Sequence, residues 1–257
     1  RIDPRNPNKI WHLNHGVSLS LDGGKTFTSE GTWDEVHTDH HAFWINPENP
    51  DHILLGGDGG LYISHNGAKT WDLINNLPLA QFYAIGIDTR DPYWIYGGAQ
   101  DHGAFSIPSR TDSPLGIRNS DIVRVSYGDG FYCVVDPRDP NLIYTENQQG
   151  RLLFINMKTH EERLIRPTPD DSEERYRFNW KCPLVMSPHD PDVIYYGGNK
   201  IFKTSDQGHT WEEISPDLSN NQDWKNLPLM GIKRNEDTIG LNYGVAYYGT
   251  VTTISES

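Results

Sequence analysis

One proline-rich phrase recurs five times along the chain: "IDPRNPNKIW" from Ile2, "INPENPDHIL" from Ile45, "IDTRDPYWIY" from Ile87, "VDPRDPNLIY" from Val135 and "MSPHDPDVIY" from Met186. The second proline of each copy falls at Pro7, Pro50, Pro92, Pro140 and Pro191, in steps of 43, 42, 48 and 51 residues. Three residues further on stands an isoleucine every time (Ile10, Ile53, Ile95, Ile143, Ile194), followed by Trp11, Leu54, Tyr96, Tyr144 and Tyr195. One residue type held at five aligned positions reports a single packing slot used five times, as in a stacked repeat.

Each unit divides into short apolar runs. "HAFWIN" ends at the proline turn, "HILLGG" runs to a glycine turn, "LYIS" leads into another turn, and the stretch after Trp71 supplies a fourth strand. With 24 glycines and 17 prolines among 257 residues, a helical repeat would be broken everywhere. The pattern predicts an all-β chain: a β-propeller of four-stranded antiparallel blades, about five of them, with repeats near 2–44, 45–86, 87–134, 135–185 and 186–257. The chain opens in the turn after an innermost strand and ends in "YYGTVTTISES", which reads as another innermost strand. Two arrangements fit that phase, a closed five-bladed ring and a piece of a larger propeller, and the second is the preferred expectation.

Composition narrows the partners. A net charge of −13 opposes binding to nucleic acid or an anionic membrane, and no apolar run approaches membrane-spanning length. Cys133 and Cys182, each inside an apolar strand, read as buried thiols, with a disulfide left open.

Three turns between third and fourth strands share a second signature: "SLDGGKTF" (Ser20 to Phe27), "SHNGAKTW" (Ser64 to Trp71) and "TSDQGHTW" (Thr204 to Trp211). An Asx side chain accepting backbone N–H groups, a glycine with positive φ and a plugging aromatic make a self-contained tight turn, so Asp22 and Asp206 read as turn caps. These turns resemble the Asp-box, or bacterial neuraminidase repeat, family of propellers. Phe27 and Thr204 depart from its Ser-x-Asp-x-Gly-x-Thr-Trp pattern in the outer copies, and Asn66 and Ala68 in the middle one. The wider wording, such as "HHAFWINPENPDHILLGGDGGLYISHNGAKTW", is similar to large bacterial sortilin-like or glycosyl-hydrolase-like repeat proteins. These in turn are similar to sortilin's luminal propeller and, more distantly, to xyloglucanase propellers and a photosystem assembly factor. The resemblance implies a secreted or periplasmic location.

Strand counting separates the two ends of each blade. The start of the innermost strand and the turn between second and third strands share one rim, while the proline turns and the box-like turns share the other. Two columns fall on the first rim: Asp39, Gln81, Asp129 and Trp180, and the all-polar His15, Asp58, Gln100, Gln148 and Asn199. Asp101, His40, His41, Phe82, Tyr83 and Lys181 stand beside them, and Trp44, Phe131 and Tyr132 are expected to add stacking surface. This polar, carboxylate-rich rim is the expected site for a carbohydrate or peptide ligand. In "HTDHH", strand alternation would project His37, Asp39 and His41 to one side and His40 to the other; hydrogen-bonded histidines are favoured over a metal site, and no cofactor is expected.

The enzymatic alternative is glycoside hydrolysis by two carboxyl groups, for which the rim aspartates Asp39, Asp58, Asp101 and Asp129 are available, with Asp58, Asp101 and Asp39 as the catalytic candidates. "GGDGGLY" around Asp58 is loosely similar to a catalytic segment of xyloglucanase-like propellers, which act across two propellers; a second propeller or further blades would then be partners. Sialidase chemistry lacks its arginine cluster, since Arg124, Arg151 and Arg177 sit at unrelated strand positions. A scaffolding or assembly role is the remaining reading.

Overall fold

The computed structural model describes residues 1–30, 35–77, 79–169, 175–228, 230–238 and 248–257. Among the described residues there are nineteen strands and only three single-turn 3₁₀ helices, none long and apolar enough to cross a membrane. The strands form β-propeller blades. Blade one is β1 (Ile10–Leu13), β2 (Val17–Ser20) and β3 (Thr28–Glu30); blade two is β4 (His40–Ile45), β5 (Ile53–Gly57), β6 (Gly60–Ser64) and β7 (Asp72–Leu73). Blade three is β8 (Phe82–Ile87), β9 (Trp94–Ala99), β10 (Gly103–Pro108) and β11 (Val123–Ser126). Blade four is β12 (Cys133–Val135), β13 (Leu142–Asn147), β14 (Arg151–Asn156) and β15 (Glu161–Leu164). Blade five is β16 (Leu184–Met186), β17 (Ile194–Gly197), β18 (Ile201–Thr204) and β19 (Glu212–Glu213). Every pairing is between sequence neighbours and antiparallel, as the meander predicts.

Two compact units divide the chain, Arg1–Leu79 with blades one and two, and Ala80–Ser257 with blades three to five. In the first, Trp11, Val17, Phe43, Ile53, Leu55, Tyr62 and Trp71 form one interblade core. In the second, Tyr96, Ala104, Cys133, Ile143 and Leu153 fill the space between blades three and four, and Tyr144, Phe154, Phe178, Ile194, Tyr196 and Phe202 that between four and five. Ile53, Ile143 and Ile194 of the isoleucine column are completely enclosed.

The proline turns explain their own repetition. The residue before each first turn position is Asp3, Asn46, Asp88, Asp136 or Ser187, and its side chain accepts the amide N–H two residues on in every copy. Arg90 and Arg138 add ion pairs to Asp88 and Asp136.

Blade one has no fourth described strand; only an isolated bridge between Ile2 and Ile10 stands in the innermost position. At the other end, Val251 N–H donates to Gly198 O (2.8 Å), and Gly130 N–H donates to Ala99 O (3.0 Å) at the equivalent place after blade three. The closing segment thus lies where an innermost strand lies, although it carries no ladder and Tyr247, where the predicted strand begins, is outside the described residues. Both cysteines are buried free thiols, and burial pushes the Cys133 thiol up to about 11.

Candidate functional site

At the box end of the blades the three signature turns repeat one hydrogen-bond pattern. Asp22 Oδ1 accepts the N–H groups of Lys25 and Thr26 (3.0 Å each), and Oδ2 accepts Thr26 Oγ1 (2.6 Å). Asp206 does the same with Thr210; Asn66 Oδ1 accepts the N–H groups of Lys69 and Thr70, but its Nδ2 donates to Thr70 Oγ1 (2.8 Å). For Asp22 the hydroxyl of Thr26 leads in holding the carboxyl down at about 2; for Asp206 burial pushes upward, yet the Thr210 and Thr204 hydrogen bonds prevail, also at about 2. Saturated, permanently ionised groups of this kind are caps and not proton donors.

The opposite rim is built differently. In the first unit, β4 carries a bulge between His40 and Ala42 against β5, so that His41 is the extra residue and swings outward. His41 Nε2 lies 2.7 Å from Asp58 Oδ1. Asp39, in the left-handed region at φ 67°, accepts Asp58 N–H on its carbonyl (3.2 Å) and Thr38 Oγ1 on its carboxylate (2.9 Å), and pairs with His15 Nδ1. Desolvation raises the Asp39 carboxyl, but the hydrogen bonds from Thr38 and His15 outweigh it and leave the group below the usual carboxylate range. It is therefore a poor proton donor near neutral pH, which counts against Asp39 as a general acid. The expected strand alternation through "HTDHH" also fails, because β4 starts only at His40 and the bulge follows at once. His40 points inward, is buried, and is kept neutral by desolvation. Among the described residues no three His, Cys, Asp or Glu side chains converge as metal ligands would.

In the second unit the corresponding ends of the three blades are linked. β8 repeats the bulge, here between Phe82 and Ala84, with Tyr83 as the extra residue; Tyr83 is half-buried and Phe82 beside it is exposed. Gln100 N–H donates to Gln81 O (2.9 Å). Asp129 is buried, and its carboxylate takes Asp101 N–H on one oxygen (2.8 Å) and Trp180 Nε1–H on the other (3.1 Å). Tyr83 packs on Phe131 at 4.6 Å between centroids, and Phe131 meets Trp180 edge-on at 6.5 Å. Burial, together with the Asp129 and Asp101 charges, pushes the Tyr83 hydroxyl upward and keeps it protonated. The approach of blade four needs glycine: a Cβ on Gly98 would fall 2.0 Å from Phe131 O.

Several predicted members do not face ligand space. Asn199 is buried, with Oδ1 accepting Arg177 N–H (3.0 Å) and Nδ2 donating to Asp217 (3.0 Å). Phe131 is wholly enclosed, and Trp44 stands at the proline-turn end, edge-on to His52, so neither is a rim platform. Gln148 lies against the loop carrying Gly128, and Lys181 lies over the Tyr132 ring. Asp58 and Asp101 belong to different units. Glu146, which the sequence reading passed over, is fully enclosed at the rim end of β13 and accepts Cys182 N–H (2.5 Å); burial pushes its carboxyl up to about 8. A charged residue inside the apolar run "LIYTEN" was the available signal.

No family model and no curated protein matches the chain. Among solved structures, it is similar to a GH74 enzyme from Niastella koreensis at 17% identity and TM-score 0.37, covering 82% of this chain and 37% of that one. A GH74 xyloglucanase from Xanthomonas campestris gives 15%, 0.39, 84% and 38%, and YCF48 bound to D1 peptide gives 10%, 0.35, 80% and 63%. The chain thus spans well under half the length of the two GH74 proteins.

Proposed function

We propose that the chain is part of an extracytoplasmic propeller of the Asp-box type, close to the sortilin-like repeat proteins, that holds a carbohydrate or peptide ligand on the rim carrying Tyr83, Asp101, Asp129 and Trp180. The observation that supports this reading is the Asp129 carboxylate, fixed between the Trp180 indole and the Asp101 amide beside a protonated Tyr83. A carboxylate committed to two donors orients its neighbours and leaves half-exposed aromatic faces and polar edges for a ligand. In the first unit Asp39 is held ionised, which suits binding better than proton donation.

Calorimetric titration with oligosaccharides and with basic and neutral peptides tests the proposal, run beside a reducing-end release assay. Binding that falls about tenfold in Trp180→Ala, without release of reducing ends, is expected. Steady release that drops on the order of 10² in Asp58→Asn or Asp101→Asn would replace it with the hydrolase reading.

A further inference from the structure

An open cavity of about 500 Å³ adjoins the Trp180 end of this rim, between the loop after β19 and the closing segment of the chain. Asn179, Ser219, Asn220, Gln222 and Thr250 supply its polar wall and Tyr248 its aromatic one. Among the described residues none that lines it carries a charge, in a protein whose net charge is −13. Asp217, which precedes the lining residues Leu218 and Ser219, is matched by a cation: Arg177 Nη2 donates to Asp217 Oδ2 (2.5 Å) and to Ser219 Oγ (2.9 Å). Burial pushes the Asp217 carboxyl upward, but hydrogen bonds from Asn199, Ser219 and Arg177 overcome it and hold the group far below the usual range, so the pair stays ionised and internally neutral.

We infer that this cavity is a subsite for an uncharged sugar residue of a glycan lying along the rim; the inference rests on the rim reading and narrows its ligand to one class. Amides and hydroxyls each donate and accept, which matches vicinal sugar hydroxyls that do both. The Asn220 and Gln222 side-chain amides make no hydrogen bond to the described residues and are exposed, so they meet a ligand without breaking an internal contact. Tyr248, 53% exposed, offers a ring face for the apolar C–H side of a pyranose. Among the described lining residues a phosphorylated or uronic sugar would find no cation, and a basic peptide no carboxylate. Asn179 ties the cavity to the rim: its Oδ1 accepts Trp180 N–H (2.7 Å) and its Nδ2 donates to Thr250 Oγ1 (3.1 Å).

The test is calorimetric titration of the whole chain with cellohexaose, xylohexaose and maltohexaose, with polygalacturonate and a lysine-rich peptide as charged comparisons. At least one neutral hexasaccharide is expected to bind, Tyr248→Ala to weaken it about tenfold, and the Asn220→Ala, Gln222→Ala double variant to weaken it severalfold. Both variants should keep the parent melting temperature, because these side chains are exposed. Neutral-glycan binding lost in Trp180→Ala but untouched by the cavity variants overturns the subsite and leaves the rim reading standing. Binding of only the peptide or polygalacturonate does the same, and binding of none of the probes overturns both.

Discussion

The two ends of each blade use the same amino acid for opposite purposes. At the box end Asp22 and Asp206 find all their partners within four residues, in the order the chain delivers them. At the rim the partners are distant in sequence: Asp58 meets His41 across 17 residues, Asp129 meets Asp101 across 28 and Trp180 across 51. A locally saturated aspartate is a piece of turn; one held by separate strands is a position whose chemistry depends on how the blades stack.

The contrast breaks hardest at the core plug behind a box. Trp71, 8% exposed against Phe43, should cost about 3–5 kcal/mol as Trp71→Ala, read by denaturant unfolding. A loss below about 1 kcal/mol would mean that the box aromatics do not hold the blades together.

Next is Glu146 at the rim end. Its folded carboxyl stands near 8 against an ordinary 4.5, so the unfolded chain ionises first as pH rises. Stability present below pH 4.5 should therefore fall through the interval up to about pH 8 and then level off, with a drop in melting temperature on the order of 10 °C. Glu146→Gln should flatten that slope, and a wild-type profile that is already flat would refute the assignment.

Asp129→Ala strands the Trp180 indole and the Asp101 amide and should cost about 1–3 kcal/mol, with Trp180 fluorescence reporting the released ring. Asp206, with its folded carboxyl near 2 against 3.8, contributes stability that is complete above pH 4 and is lost as pH falls toward 2. Asp206→Asn should remove only that acid-side slope. The smallest effect belongs to Asp58→Asn: its partner His41 is largely exposed, so the change in stability should stay within about 0.5 kcal/mol, and a larger loss would place Asp58 with the structural aspartates.

The repeat alone determined the all-β meander, the blade length, the proline turns and the capping role of Asp22 and Asp206, because each depends on contacts a few residues apart repeated in phase. It also assigned the rim columns to one end of the blades, since strand direction follows from counting turns. What it could not determine is which members face outward. A bulge in β4 leaves His41 exposed and one in β8 leaves Tyr83 half-buried on Phe131, while His40, Phe131 and Asn199 are drawn inside, and a bulge leaves no two-residue signature in the sequence. Only the tertiary structure decided that Asp129 is held by Trp180 and that Glu146 stays protonated, because both follow from the close stacking of consecutive blades and the loss of water between them.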